Sequence, residues 1–306
     1  MKKITAVLAA AVLLAALCAC SLPAPAAYPA EAYELGDAVI TDKVESLRIE
    51  WPSDELTVVT HPENTIEITE TVSGDLPENQ RVHWRLEGTT LHIRRGEPKL
   101  MDFSIGGARQ SLTVTLPEDL TLSDFNVGVA SADVLVRGVT ADRAELSASS
   151  GNIRGGLAAD RLDVSVSSGD VDIVAAGRCE SVSLSSSSGR LGAVLGKTGA
   201  IRASASSGNV SITAECVDAL DVDTSSGTVT LSLASAPEKG RVATSSGHVT
   251  LSLPETADLT LDIDTASGDV DWSVPLKRNG DEYILGSGED RLEIETSSGD
   301  ITILKA

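Results

Sequence analysis

The chain is 306 residues long and carries 24 Lys and Arg against 45 Asp and Glu, a formal charge of −21. Such a surface repels nucleic-acid phosphates and anionic headgroups, which excludes nucleic acid as a partner and leaves cations, cationic peptides and basic wall components as attractable species. Aromatic residues make up only 3%, so a core must be filled by small aliphatic side chains, which suits stacked sheets better than a bulky globular interior.

Lys2 and Lys3 precede an apolar run from Ile4 to Leu17 and then Leu17-Cys18-Ala19-Cys20. At 14 residues the run falls short of the roughly 20 a membrane-spanning helix needs, and reads as a signal peptide over residues 1–19. Leu17-Cys18-Ala19-Cys20 resembles the lipobox of bacterial lipoproteins, with Leu three places before the Cys and a small residue directly before it. The resemblance implies an acylated Cys20 as membrane anchor, on the outer face of the cytoplasmic membrane or in the outer membrane. An ordinary secretory leader with two incidental cysteines is the plainer alternative. Loss of Lys2 and Lys3 with the leader takes the charge from −21 to −23. Residues 20–40 hold this Cys and an Ala/Pro-rich stretch without amphipathic period, a tether.

Residues 41–123 alternate strongly, as in Leu47-Arg-Ile49-Glu-Trp51, Ile66-Glu-Ile68 and Leu112-Thr-Val114-Thr-Leu116. Six or seven strands are predicted, forming either an end cap or irregular opening coils.

Residues 124–306 are dominated by a repeat. The Gly of Ser-Ser-Gly or Ala-Ser-Gly stands at 151, 169, 189, 208, 227, 247, 268 and 299, at intervals of 18 to 21 residues with one of 31, and Ala130-Ser131-Ala132-Asp133 is a weaker earlier copy. Apolar and polar residues alternate on both sides of each corner, as in Leu220-Asp-Val222-Asp-Thr224-Ser-Ser-Gly227-Thr-Val229-Thr-Leu231. The inward sets are an odd step apart across the corner, so the chain must bend there, and Gly permits it. The Ser before each Gly has the size for a tight inner corner and a hydroxyl for backbone groups the bend leaves over. The prediction is an all-β, parallel β-solenoid, a right-handed β-helix by the handedness of parallel crossovers, with about 19–20 residues per coil.

The residue after Gly includes Arg190 and His248, which argues against a calcium ladder. Cys179 and Cys216 stand about two coils apart, too far for a disulfide. Only four His exist and none pairs with Cys at ligand spacing, so no metal or cofactor is expected. Asn279-Gly280 predicts a hairpin protruding from one coil. Leu292 to Ile303 reads as the closing coil.

The opening alternation, the Leu112–Pro117 strand and the repeated Ser-Ser-Gly-Asp units resemble an adhesin-type domain of unknown function found in many bacterial envelope proteins. The resemblance covers roughly residues 40–304, with Thr296-Ser-Ser-Gly-Asp-Ile301 its most typical piece. It implies a β-helical fold and a cell-surface setting, and it carries no catalytic motif.

Acids such as Asp170, Asp172, Asp221, Asp223, Asp262, Asp264, Asp269 and Asp271 fall on outward strand positions instead of converging, so no enzyme is expected. The leading reading is a non-catalytic surface adhesin or binding module for wall polymer, cationic peptide or another envelope protein. The alternative is a structural or signalling component acting through protein contacts. Cys20 is the only site residue singled out.

Overall fold

In the computed structural model, which describes residues 32–96, 108–280 and 282–306, the alternating segments stand side by side as strands of one sheet. The leader, Cys20 and the tether as far as residue 31 lie outside the described residues. Glu34–Ala306 forms one compact unit, so both the 41–123 segment and the repeats belong to it.

Each repeat forms a tier: a stretch before the corner and a stretch after it. Neighbouring tiers pair in parallel and in register, so that Val171, Leu191, Val210, Val229 and Val249 line up after the corner. Val182, Ile201 and Leu220 line up before it. All of these are buried and belong to one continuous apolar cluster. Burying each such side chain contributes about 1.5–3 kcal/mol, and the sum over many tiers stabilises a core with almost no aromatic residue.

The glycines are required at the corner because the tiers touch there. A Cβ on Gly227, whose φ is +151°, would lie 2.0 Å from the carbonyl oxygen of Gly208. The position three before Gly is buried at Ala148, Val166, Ser186, Ala205, Thr224, Thr244 and Thr296, and half-buried at Thr265 in the outermost tier. The Ser directly before Gly behaves otherwise. Ser150, Ser168, Ser188, Ser207, Ser226, Ser246, Ser267 and Ser298 are all exposed, lying outside the bend instead of filling it.

The expectation of a purely parallel, right-handed β-solenoid is overturned by the sheet, which is mixed. Antiparallel pairing joins Glu67–Ser73 to Arg109–Thr115, Val82–Glu87 to Thr90–Arg95, and Leu259–Asp262 to Glu282–Leu285. Glu34–Leu35 and Ala38–Ile40 add further antiparallel pairs. The physical reason lies at the ends, where a parallel array exposes unpaired N–H and C=O groups and the chain folds back to cover them.

That folding back changes the order of tiers. At the N-terminal end, Ser46–His61 is a single bent strand lying between Thr121–Val136 on one side and Thr90–Arg94 with Ser111–Pro117 on the other. Asp54, with φ 66°, turns its corner and stands opposite Ala132, so an Asp takes the place Gly holds elsewhere. This segment therefore combines a tier with a cap. At the other end, Asp290–Ser298 lies between Lys239–Ser246 and Leu259–Thr265. Ile301–Lys305 lies between Val249–Leu253 and Val270–Trp272. The repeat expected to close the array is thus interior, and the 259–272 tier is outermost. The hairpin expected to protrude packs back instead, with Tyr283 buried and Leu285 fully so.

Candidate binding surfaces

Cys20 lies outside the described residues. Cys179 and Cys216 are free thiols; Cys179 is buried, its Sγ within 3.3 Å of the Asp160 and Ser181 carbonyl oxygens, and burial is the leading cause that raises its pKa. Among the described residues no group of three or more His, Cys, Asp or Glu side chains is placed to hold a metal ion, and no helix is long and apolar enough to cross a membrane.

At several corners the side chain after the Gly has a structural task that the sequence reading missed. The amide of Asp170 donates to Asn152 Oδ1 at 3.0 Å, that of Arg190 to Asp170 Oδ1 at 2.9 Å, and that of Thr228 to Asn209 Oδ1 at 2.9 Å. Asp269 donates likewise to Asp300 Oδ1 at 3.0 Å. An Asx side chain bonds the neighbouring tier's amide at the bend, and this explains the preference for Asp and Asn here. The legible signal was the Asp/Asn bias itself.

Outward residues before and after the corner build two contrasting faces. Before it, Arg202 reaches Asp221 at 3.3 Å, and Arg241 stands among Asp223 at 3.0 Å, Glu295 at 2.6 Å and Glu293 at 4.0 Å. Arg291 holds Asp262 at 2.7 Å and Glu282 at 3.0 Å. Glu293 and Glu295 project to the same side of one strand, and their mutual hydrogen bond, followed by burial and the Glu295 charge, raises the Glu293 pKa. Most carboxylates predicted to face solvent do so, but this group is tied into a ladder with arginines.

After the corner the outward positions are uncharged over five adjoining tiers, 191–195, 210–214, 229–233, 249–253 and 301–304, with Lys305, paired to Glu255 at 3.2 Å, at the end of the last. Its outward positions are Gly192, Val194, Ser211, Thr213, Thr230, Ser232, Thr250, Ser252, Thr302 and Leu304. Val194 is 49% exposed and Val174, in the next tier, 44%. They flank a shallow groove of about 390 Å³ that also touches Thr213 and Ser232 and has Glu215 at its margin. The exposed Ser-Ser ridge borders this face. No sequence motif marked it, because the signal is the absence of charge at one set of alternating positions.

At the N-terminal end a buried polar clip joins the cap strands. The Glu70 carboxylate is wholly buried and accepts from the Val82 amide at 2.8 Å, from Arg81 Nε and from Gln110 Nε2. The bond to Glu70 raises the Arg81 pKa. With its oxygens so engaged, Glu70 is a structural tie between strands far apart in sequence.

A family described as Toastrack DUF4097 matches residues 44–304. Among solved structures, an adhesin candidate from Parabacteroides merdae is similar with TM-score 0.50 at 11% identity, over 89% of this chain and 96% of that one. An adhesin candidate from Bacteroides fragilis gives 0.42 at 13% identity, over 89% and 97%. A lipid-binding candidate from Parabacteroides distasonis gives 0.36 at 13%, again over 89% and 97%. At such identities the first likeness speaks to fold alone. No curated protein matches the chain.

Proposed function

The chain belongs to the Toastrack DUF4097 family, and from that membership we propose that it is a non-catalytic binding module of the bacterial envelope whose uncharged face meets a neutral wall polymer. The observation that carries this reading is the face itself: Val194, Thr213, Thr230, Ser232, Thr250 and Thr302 stand at uncharged outward positions after the corner in five adjoining tiers, in a chain of formal charge −21. A flat array of hydroxyl and methyl groups repeating at ~4.8 Å offers hydrogen bonds and aliphatic contact to a polymer of repeating sugars. It offers a polyanion or polycation little to hold.

In this reading residues 1–19 are the leader, Cys20 the lipid anchor and 20–40 the tether, which reaches the sheet where Ala38–Ile40 pairs with Ile66–Ile68. A second reading, a structural or signalling component of an envelope complex, draws on the outermost strand edge at 263–272, which carries no strand on its outer side among the described residues.

Calorimetric titration of the intact protein with purified wall polymer, at low and near-physiological salt, tests the proposal. Saturable heat unchanged by salt, and lost in a Thr213→Glu/Thr230→Glu variant of unaltered stability, is the expected result. Absence of heat, or heat abolished by salt screening, removes the polymer reading.

A further inference from the structure

Inner tiers seal their inward residues completely. Val242, Val249, Leu251, Ile294, Ile301 and Ile303 are each 0% exposed. In the outermost tier the hairpin strand Glu282–Leu285 covers Leu259 and Leu261, both 0% exposed, and its pairing stops at Asp262. Beyond that point Ile263, Val270 and Trp272 occupy the columns of Ile294, Ile301 and Ile303, yet all three are partly or largely exposed, Trp272 at 44%. From Ile263 to Trp272 the tier is bonded to 294–296 and 301–303 on its inner side only, among the described residues.

Strand edge and apolar strip therefore coincide. The buried Tyr283 backs the strip, its ring 5.2 Å from that of Trp272 at 65°. The charged side chains along the edge are Asp264, Asp269 and Asp271, all exposed. Two nearby arginines are already engaged: Arg291 by Asp262 and Glu282, and Arg278 over the Tyr283 ring and at the Gly280 carbonyl oxygen.

We propose that this edge accepts an extended cationic segment of a partner polypeptide as an added strand. The guest's backbone pairs with 263–265 and 270–272 and bends at the corner between them, where its alternation shifts by one residue as the tier's own does, so that its apolar side chains cover Ile263, Val270 and Trp272. Its Lys or Arg side chains, on the other face, meet Asp264, Asp269 and Asp271. This is strand addition to a sheet edge, with main-chain bonds giving affinity and alternate side chains giving selectivity. Acidic residues on an edge strand repel like edges, so they disfavour the same end of a second copy while attracting a cationic strand. The site borders the uncharged face where Asp271 stands beside Thr302, but it uses the strand edge and its carboxylates instead of the hydroxyl array, so either proposal can fail without the other.

The test is titration of the intact protein with a synthetic peptide in which two stretches of alternating Val and Lys flank a Ser-Ser-Gly corner, followed by tryptophan emission and calorimetry. Expected are saturable one-to-one binding and a blue shift that disappears in Trp272→Phe. Affinity should fall at least tenfold in Asp269→Asn/Asp271→Asn, a surface variant that leaves the core intact. A peptide of the same composition N-methylated at alternate amides should not bind. Equal binding of the methylated peptide, or of one with its lysines in a block, would show plain charge attraction and overturn the proposal. So would a concentration-dependent dimer that hides Trp272.

Discussion

The amide of Gly247 donates to the carbonyl oxygen of Ser298 at 3.0 Å, while Gly299 donates onward to Ser267 at 3.0 Å. The corner at 299 is therefore sandwiched between corners that both precede it in sequence. Core truncations should follow this spatial order. Ile301→Ala is expected to cost about 3–4 kcal/mol, as for a sealed core position. Val270→Ala, one tier further out and partly exposed, should cost about 1 kcal/mol. Urea unfolding of the two variants checks this, and a larger loss at Val270 would contradict the order of tiers.

Gly227→Ala places a methyl 2.0 Å from the Gly208 carbonyl oxygen at a φ of +151°. Neither backbone can retreat without disturbing the pairing around it, so a loss of about 3 kcal/mol or more is expected. At Gly177, φ +89°, an added Cβ meets no atom within 4 Å, and only the backbone preference, about 1 kcal/mol, opposes Ala. Thermal denaturation of both variants separates contact from conformation.

Asp170→Ala removes the acceptor of the Arg190 amide, held at 2.9 Å. A loss of about 1 kcal/mol is expected. Ser226→Ala at the exposed ridge should stay within about 0.5 kcal/mol of wild type. Equal effects in denaturant melts would mean the ridge serine has a structural bond of its own.

Glu293 titrates above its ordinary value because it shares a hydrogen bond with Glu295, is partly desolvated and feels the Glu295 charge. A carboxyl whose folded pKa is raised makes no difference to stability while protonated in both states. It lowers stability as pH rises past the unfolded value, and the penalty is complete above the folded one. Glu293→Gln should therefore stabilise at neutral pH by roughly a few tenths of a kcal/mol, given solvent screening, and not at strongly acid pH. Arg241→Ala should cost about 0.5–1 kcal/mol, less in high salt. Unfolding curves across pH and salt check both signs.

The tiers were legible because their signal is local. Alternation in Leu220–Leu231, a Gly at each corner and the buried column through Thr224 and Thr244 follow from period and backbone chemistry alone. Three features were not. The purely parallel β-solenoid reading fails because Glu282–Leu285 and Glu67–Ser73 pair antiparallel, and an alternating strand looks the same whichever way its neighbour runs. The corner at Asp54 was hidden by the substitution of Asp for Gly. Serines such as Ser226 were placed inside the bend because composition says which residues suit a turn, without saying which side of it faces water. Of the candidate surfaces, the outward acids were foreseen, whereas the uncharged face and the exposed Trp272 edge emerge only when residues 19 or more apart are brought into columns.

The interior position of residues 290–305 also imposes a timetable. In arrays of repeats each unit is stabilised by the neighbour it stacks on, but here the inner neighbour of the tier at 259–272 is a segment that follows it in the chain. Until that segment arrives, Val242 has an attractive wrong neighbour in Ile263, since Ile263 and Ile294 occupy the same column. Closing early would expel the late segment and leave its apolar residues in water. The chain must therefore delay its own completion, and the closest competitor to the native state is a sheet one tier short.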